Sequence, residues 1–310
     1  MGMGAGYGIL AHTIFAQSYS HAPRGESGLM LLSFLIGIPL CIGSIAVYLL
    51  QRQKKAALGF SLLLSGASIS IFVFIAGALL REGFICILMA LPFLLFFAAI
   101  GTILSWIFSK AFKGIDKTLR SIIFLPFLFG AVEQQADPPA LVQTIARSVQ
   151  IRAAPATVWR NINFPTDIQA SELKEGIAYQ IGVPYPVEAR TLEGRVGGKR
   201  HLIWQRGVSF EEEITAWEEN RHIAWKYLFG PHSFPEGSLD DHIVIGGRYF
   251  NLEDTSYTLT PEAGGTRLDL AVTFRVSTNF NWYSGVWAKF LISDTAEAIL
   301  NFYKNRAEAS

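Results

Sequence analysis

The sequence predicts an α+β chain in two parts: an α-helical transmembrane bundle, then a helix-grip unit in which a curved antiparallel sheet surrounds a long C-terminal helix. Three observations predict it. Residues 29–132 are dominated by Leu, Ile, Phe, Ala and Gly in long uncharged runs, whereas residues 133–310 are polar with regular Gly and Pro punctuation. Within the second part, short segments alternate with period 2, which marks an antiparallel sheet with two different faces. The last segment, residues 282–306, has no proline and a single glycine. Its residues Trp282, Val286 and Phe290 recur at i, i+4, i+8, with Tyr283, Trp287 and Leu291 in the adjacent row. That is an amphipathic helix in need of an apolar partner, and the upstream strands are the expected one.

Taken in order, residues 1–28 form a Gly-rich and then polar tail, to which no element is assigned. Gly6 stands where a myristoylation start requires Ser or Thr. No positive n-region precedes the apolar segments, which argues against a cleaved signal peptide. Residues 29–50, 56–80 and 84–108 are uncharged and long enough, at about 1.5 Å per residue, to cross about 30 Å of hydrocarbon. None has the polar face that a soluble bundle requires. Ser61, Ser65 and Ser68 share one face of the second helix, where small residues permit close packing. No Asp, Glu, Lys, Arg or His lies inside these three spans, so transport and proton conduction are poor readings.

A fourth segment, residues 120–132, has the uncharged core SIIFLPFLFGAV. As a helix this core covers only about 18 Å. It spans if Lys117 and Arg120 snorkel on one side and Glu133 sits on the other; otherwise it is interfacial or re-entrant. Basic residues set the orientation. Arg52, Lys54, Lys55, Lys110, Lys113, Lys117 and Arg120 fall on one side, against Arg24 and Arg81 on the other. The two basic loops are therefore expected in the cytoplasm. If the fourth segment spans, the C-terminal domain is extracytoplasmic. The whole reads as a multi-pass protein of a bacterial inner membrane.

The net charge of +1 averages two unlike parts and says little about partners, but no basic stripe along the chain suggests nucleic acid. Cys41 and Cys86 both lie in apolar runs and form no metal-binding spacing.

After a linker at residues 133–142, the second domain occupies residues 143–310. Residues 143–152 alternate as a strand and run directly into APATVW, where Pro155 suits the first turn of a short helix. Further strands are expected near residues 187–192, 199–206, 210–217, 222–229, 256–260 and 267–276, the last two joined as a hairpin by PEAGG. In the final strand Leu268, Leu270, Val272, Phe274 and Val276 face one way. The opening SVQIRAAPATVW (residues 148–159), the stretch EITAWE (213–218), the hairpin GGTRL (264–268) and the long terminal helix resemble the SRPBCC superfamily. That superfamily includes START lipid-transfer domains, Bet v 1-like proteins and polyketide cyclases. The resemblance covers residues 143–306 and extends to bacterial members with similar GVPYP (182–186) and STxFNWY (277–283) stretches. It implies a cavity between sheet and terminal helix that takes an apolar ligand. It carries over no catalytic residue, because the superfamily has no universal catalytic motif.

The residues agree with such a cavity: Trp204, Trp225 and Phe274 on strands, and Trp287, Phe290 and Leu291 on the helix. The plainer alternative is that each aromatic fills a core. Asp294 sits mid-helix beside the apolar stripe, where a buried carboxyl would act as acid or base. Glu213 shares a strand face with Glu211, a pairing that serves acid–base work or simply faces solvent. His232, Asp240 and His242 lie in one long loop as weak candidates for a metal, in no strong ligand spacing. No cofactor is called for. The sequence-level reading is a membrane-anchored START-like domain that binds a lipid or other apolar small molecule. The alternatives are a cyclase- or hydrolase-like enzyme acting on an apolar substrate, and a non-catalytic membrane assembly module. The oligomeric state is left open.

Overall fold

The computed structural model describes residues 1–17, 27–52, 57–79, 83–111, 122–239 and 243–310. The chain divides into two compact units: residues 1–138 with Thr278–Phe280, and residues 139–277 with Asn281–Ser310.

The first unit is helical: α1 (Gly2–Gln17), a π-helical turn Ser33–Gly37 leading into α2 (Ile38–Arg52), α3 (Leu58–Leu79), α4 (Phe84–Ala111) and α5 (Leu125–Glu133). Three helices, Ser33–Gln51, Leu58–Leu79 and Phe84–Ala111, are long and apolar enough to cross a membrane. Small residues let them approach. A Cβ on Gly101 would sit 2.7 Å from Leu40 Cα, and one on Gly43 would sit 2.6 Å from Thr102 N. Ser44 and Ser105 join hydroxyls at 2.7 Å along the same seam. Ser61, Ser65 and Ser68 are buried on α3.

Two segments differ from expectation. The tail at residues 1–28, to which the sequence assigns no element, contains α1. Gly4 and Gly8 lie one turn apart against Ser68 and Phe72 of α3, so close packing compensates for the roughly 1 kcal/mol that each glycine costs a helix. This helix also brings a buried histidine, His12, between the rings of Phe34 and Phe72. The fourth segment, whose residues 120 and 121 lie outside the described residues, runs antiparallel to the first span. The Ile122 carbonyl accepts from Cys41 Sγ at 3.6 Å, and Pro126 packs on Gly37. At its end, the Glu133 carboxylate accepts the Leu32 and Ser33 backbone N–H groups at 2.8 and 2.9 Å. That carboxylate caps donors left open at a helix start. Asn279 also donates to Glu133, at 2.8 Å, and Phe280 lies with its ring 6.1 Å from Phe93 of α4.

The second unit is one seven-stranded antiparallel sheet with strand order β1-β7-β6-β5-β4-β3-β2. Its strands are β1 (Ala140–Ile151), β2 (Pro186–Thr191), β3 (Lys199–Trp204), β4 (Ser209–Glu218), β5 (His222–Leu228), β6 (Phe250–Glu262) and β7 (Gly265–Ser277). Short helices α6 (Pro155–Asn163) and α7 (Ile177–Gln180) follow β1, and α8 (Asn281–Glu308) closes the chain. This is the helix-grip α+β arrangement. β1 begins at Ala140, three residues before the expected start. β6 begins at Phe250 and not near residue 256, because a bulge between Leu252 and Asp254 breaks the alternation that would reveal its first half. The alternating inner residues of β7, Leu268 to Val276, are all buried and meet Ala296, Leu300, Phe302 and Tyr303 of α8 in one core.

Candidate functional site

The inner face of the sheet is built by period 2, and its composition is unusual. On β3 the inward residues are Arg200, Leu202 and Trp204; on β4 they are Phe210, Glu212 and Ile214. Alternation thus carries two charged side chains into the interior, where Arg200 and Glu212 are each only 1% exposed. They pair at 2.7 Å. The rest of the guanidinium is also satisfied: Nη2 donates to the Ile162 carbonyl at 2.9 Å and Nε to Thr191 Oγ1 at 3.2 Å. Thr191 in turn donates to Asn163 Oδ1 at 2.6 Å, and Asn163 donates to the Trp159 carbonyl. The Trp225 ring lies 3.9 Å under the Arg200 guanidinium carbon, a cation–π stack made stronger by desolvation. Burial pushes the Glu212 carboxyl up to about 7, against the opposing pull of Arg200.

Tyrosines pack beside this pair. The Tyr227 hydroxyl shares a 2.7 Å hydrogen bond with Thr255, and the Tyr257 and Tyr303 rings meet edge to face at 5.7 Å. Burial raises all three phenols above their ordinary value. Toward the end of the sheet near residues 230–239, a second core forms around Phe210 and Phe234, with half-buried Trp204, Tyr227 and Phe229 packed against it. Two buried indole donors, Nε1 of Trp204 and of Trp225, have no hydrogen-bond partner. The Trp225 indole interacts with the Glu212 and Tyr227 side chains, short of the geometry of a full hydrogen bond. Buried donors without acceptors are rare in folded proteins.

The expected site residues divide. Trp225 and Phe274 lie in the main core and Trp204 at the second one. On α8, Trp287 and Leu291 are half-buried, Phe290 is 42% exposed, and neither cluster includes them. The helix is rotated about its axis relative to the expected packing. Gly285 lies against Leu141 of β1, and Ile292, Ala296, Ile299 and Tyr303 face the sheet instead. Asp294 accepts the Ala178 N–H at 2.7 Å, which caps α7. Glu213 points to the opposite face of the sheet from Glu212. There it bridges Lys226 at 3.0 Å and Lys199 at 3.3 Å, and these two lysines hold its carboxyl below the ordinary value. His232 is exposed, while Asp240 and His242 lie outside the described residues. No group of three metal-ligating side chains occurs among the described residues. Sequence reasoning missed Arg200 and Glu212. The signal was present, since two-residue steps back from Trp204 and Ile214 reach both.

No protein-family model matches the chain, and no curated protein does. Solved structures to which the chain is similar include protein MLL2253 from Mesorhizobium loti, at 17% identity over 51% of this chain and 96% of that one, with a TM-score of 0.27. The di-domain ARO/CYC BexL of the BE-7585A biosynthetic pathway is similar at 16% identity over 67% and 61%, with a TM-score of 0.34. Ara h 8.0201 is similar at 15% identity over 55% and 100%, with a TM-score of 0.33.

Proposed function

We propose that the second unit is an SRPBCC-like domain that binds an apolar small molecule bearing an oxygen acceptor, such as a lipid carbonyl, and that the first unit anchors it in a membrane. The carrying observation is the pair of buried indole N–H groups on an aromatic, tyrosine-lined inner face, donors that a bound carbonyl or carboxylate would satisfy. Catalysis finds less support. Asp294 is used as a helix cap and Glu213 as a partner of two lysines. The course of the fourth segment, from beside Cys41 to the start of the first span, supports a crossing. With the basic loops in the cytoplasm, the domain is then extracytoplasmic.

The test is mass spectrometry of small molecules extracted from the full chain in phosphatidylcholine nanodiscs, against empty nanodiscs and a Trp225→Phe variant. The expected outcome is one apolar species near stoichiometry in the wild type, reduced by about tenfold in the variant if one hydrogen bond of about 1.4 kcal/mol is lost. Extracts containing nothing beyond the nanodisc lipid would sink the binding reading.

A further inference from the structure

The outward stripe of α8 changes character along its length. Trp282, Val286 and Phe290 stand 65, 67 and 42% exposed, and the same side of the helix continues as Ser293, Glu297 and Lys304. The first half of this stripe is therefore apolar toward the outside and the second half polar. The apolar half is also aromatic: Trp282, Tyr283, Trp287 and Phe290 contact one another edge to face in series. It starts where the chain leaves the helical unit. Phe280 belongs to that unit, with its ring against Phe93 of a membrane-length helix, and Trp282 follows two residues later. The other departure from the helical unit has the same character. Leu128, Phe129 and Val132 are exposed on α5, and Val142 is exposed at the start of β1.

We infer that the first turns of α8 are an interfacial anchor, with Trp282, Val286 and Phe290 seated at the headgroup–acyl boundary of the bilayer that holds the helical unit. Trp and Tyr concentrate at that depth because the ring is apolar and its polar edge stays wet. An interfacial helix buries its apolar face about 5–10 Å into the boundary. The span from Trp282 to Phe290, about 12 Å at 1.5 Å per residue, matches a shallow element better than a spanning one. The inference rests on the membrane reading of the first unit and names a second, peripheral lipid contact made by the other unit.

The experiment uses the full chain in nanodiscs of phosphatidylcholine and phosphatidylglycerol, with Cys41 and Cys86 replaced by alanine. Single cysteines V286C, F290C, E297C and F74C each carry an environment-sensitive fluorophore. Phe74, on α3, is 75% exposed and reports on the membrane reading itself. Lipids with a quencher near the headgroup should reduce emission at 286 and 290 by roughly twofold, leave 297 unchanged and leave it open to aqueous iodide. If 74 is reached by lipid quenchers while 286 and 290 are quenched only by iodide, the anchor is refuted and the membrane reading stands. If 286 and 290 are shielded from both quenchers, a protein partner or second copy covers them and the inference is overturned. If 74 itself is quenched only by iodide, the membrane reading fails, and the anchor with it.

Discussion

The two units solve burial in opposite ways. In the helical unit many large apolar side chains point outward, Leu63, Phe74 and Phe96 among them, alongside buried ones such as Ile42 and Phe72, while Ser61, Ser65, Ser68 and Thr102 are buried. In the sheet unit Phe274, Phe302, Ile214 and Ile223 are fully buried. Among its described residues the charged side chains are at least partly exposed, except for the Arg200–Glu212 pair. On the proposed membrane reading, the difference follows from the solvent of each unit. In water apolar burial drives packing at roughly 25 cal/mol per Å². Among lipid tails that drive is absent, and close backbone approach through small residues replaces it. A single chain therefore needs two opposite relations between hydropathy and burial.

The exception in the sheet unit provides the strongest way to break this comparison. Arg200→Met removes one charge and leaves Glu212 buried without its partner. A loss of about 3–5 kcal/mol is expected, because an uncompensated buried charge is the costly outcome. The Arg200→Met, Glu212→Leu double variant should recover much of it. Denaturant unfolding followed by tryptophan fluorescence reads both variants. Equal losses in single and double variants would show that the pair's geometry, and not its charge, holds the site.

The helical unit is expected to fail through an added atom. Gly101→Ala places a methyl against the Leu40 backbone, and overpacking of this kind costs about 1–3 kcal/mol. Thermal aggregation of the full chain in detergent should begin at a lower temperature, with the fluorescence-detected unfolding of the sheet unit unchanged. Concerted loss of both would mean that the units do not unfold separately.

The smallest effect sharpens the role of Glu212. Burial raises its folded value above the ordinary 4.5, to about 7. The stability it contributes is thus full below 4.5 and is lost as pH rises through about 7. Glu172 and Glu308 are shifted the other way, by Arg306 and by the Arg152 backbone N–H, so their contributions are lost only as pH falls below the ordinary value. Between pH 5 and 8 the wild type should therefore lose on the order of 1–2 kcal/mol from this group, and Glu212→Gln should flatten that slope. A wild-type slope of the opposite sign would place another titrating group in control.

The sequence by itself determined the elements whose signal is local. Uncharged runs of sufficient length specify three helices, and period-2 alternation specifies the inner row of β7, because each depends only on neighbours along the chain. Recognition of the helix-grip order rested on the same local signals. The start of β6 escaped notice because a bulge shifts its alternation at Leu252. The tertiary structure alone decided which side of an apolar helix meets which partner. Trp282, Val286 and Phe290 satisfy a 3.6-residue period equally well whether they face a sheet or a lipid surface. The close approach of Gly285 to Leu141, together with Ile292, Ala296 and Tyr303 packed on the sheet, fixes the rotation that turns them outward. It also decided which carboxylate is buried. Among Glu211, Glu212 and Glu213 the composition is identical, and one step of register sends Glu212 to Arg200 and its neighbours to the other face. Periodicity gives the spacing of side chains along an element, and the partner packed against that element gives the direction in which they point.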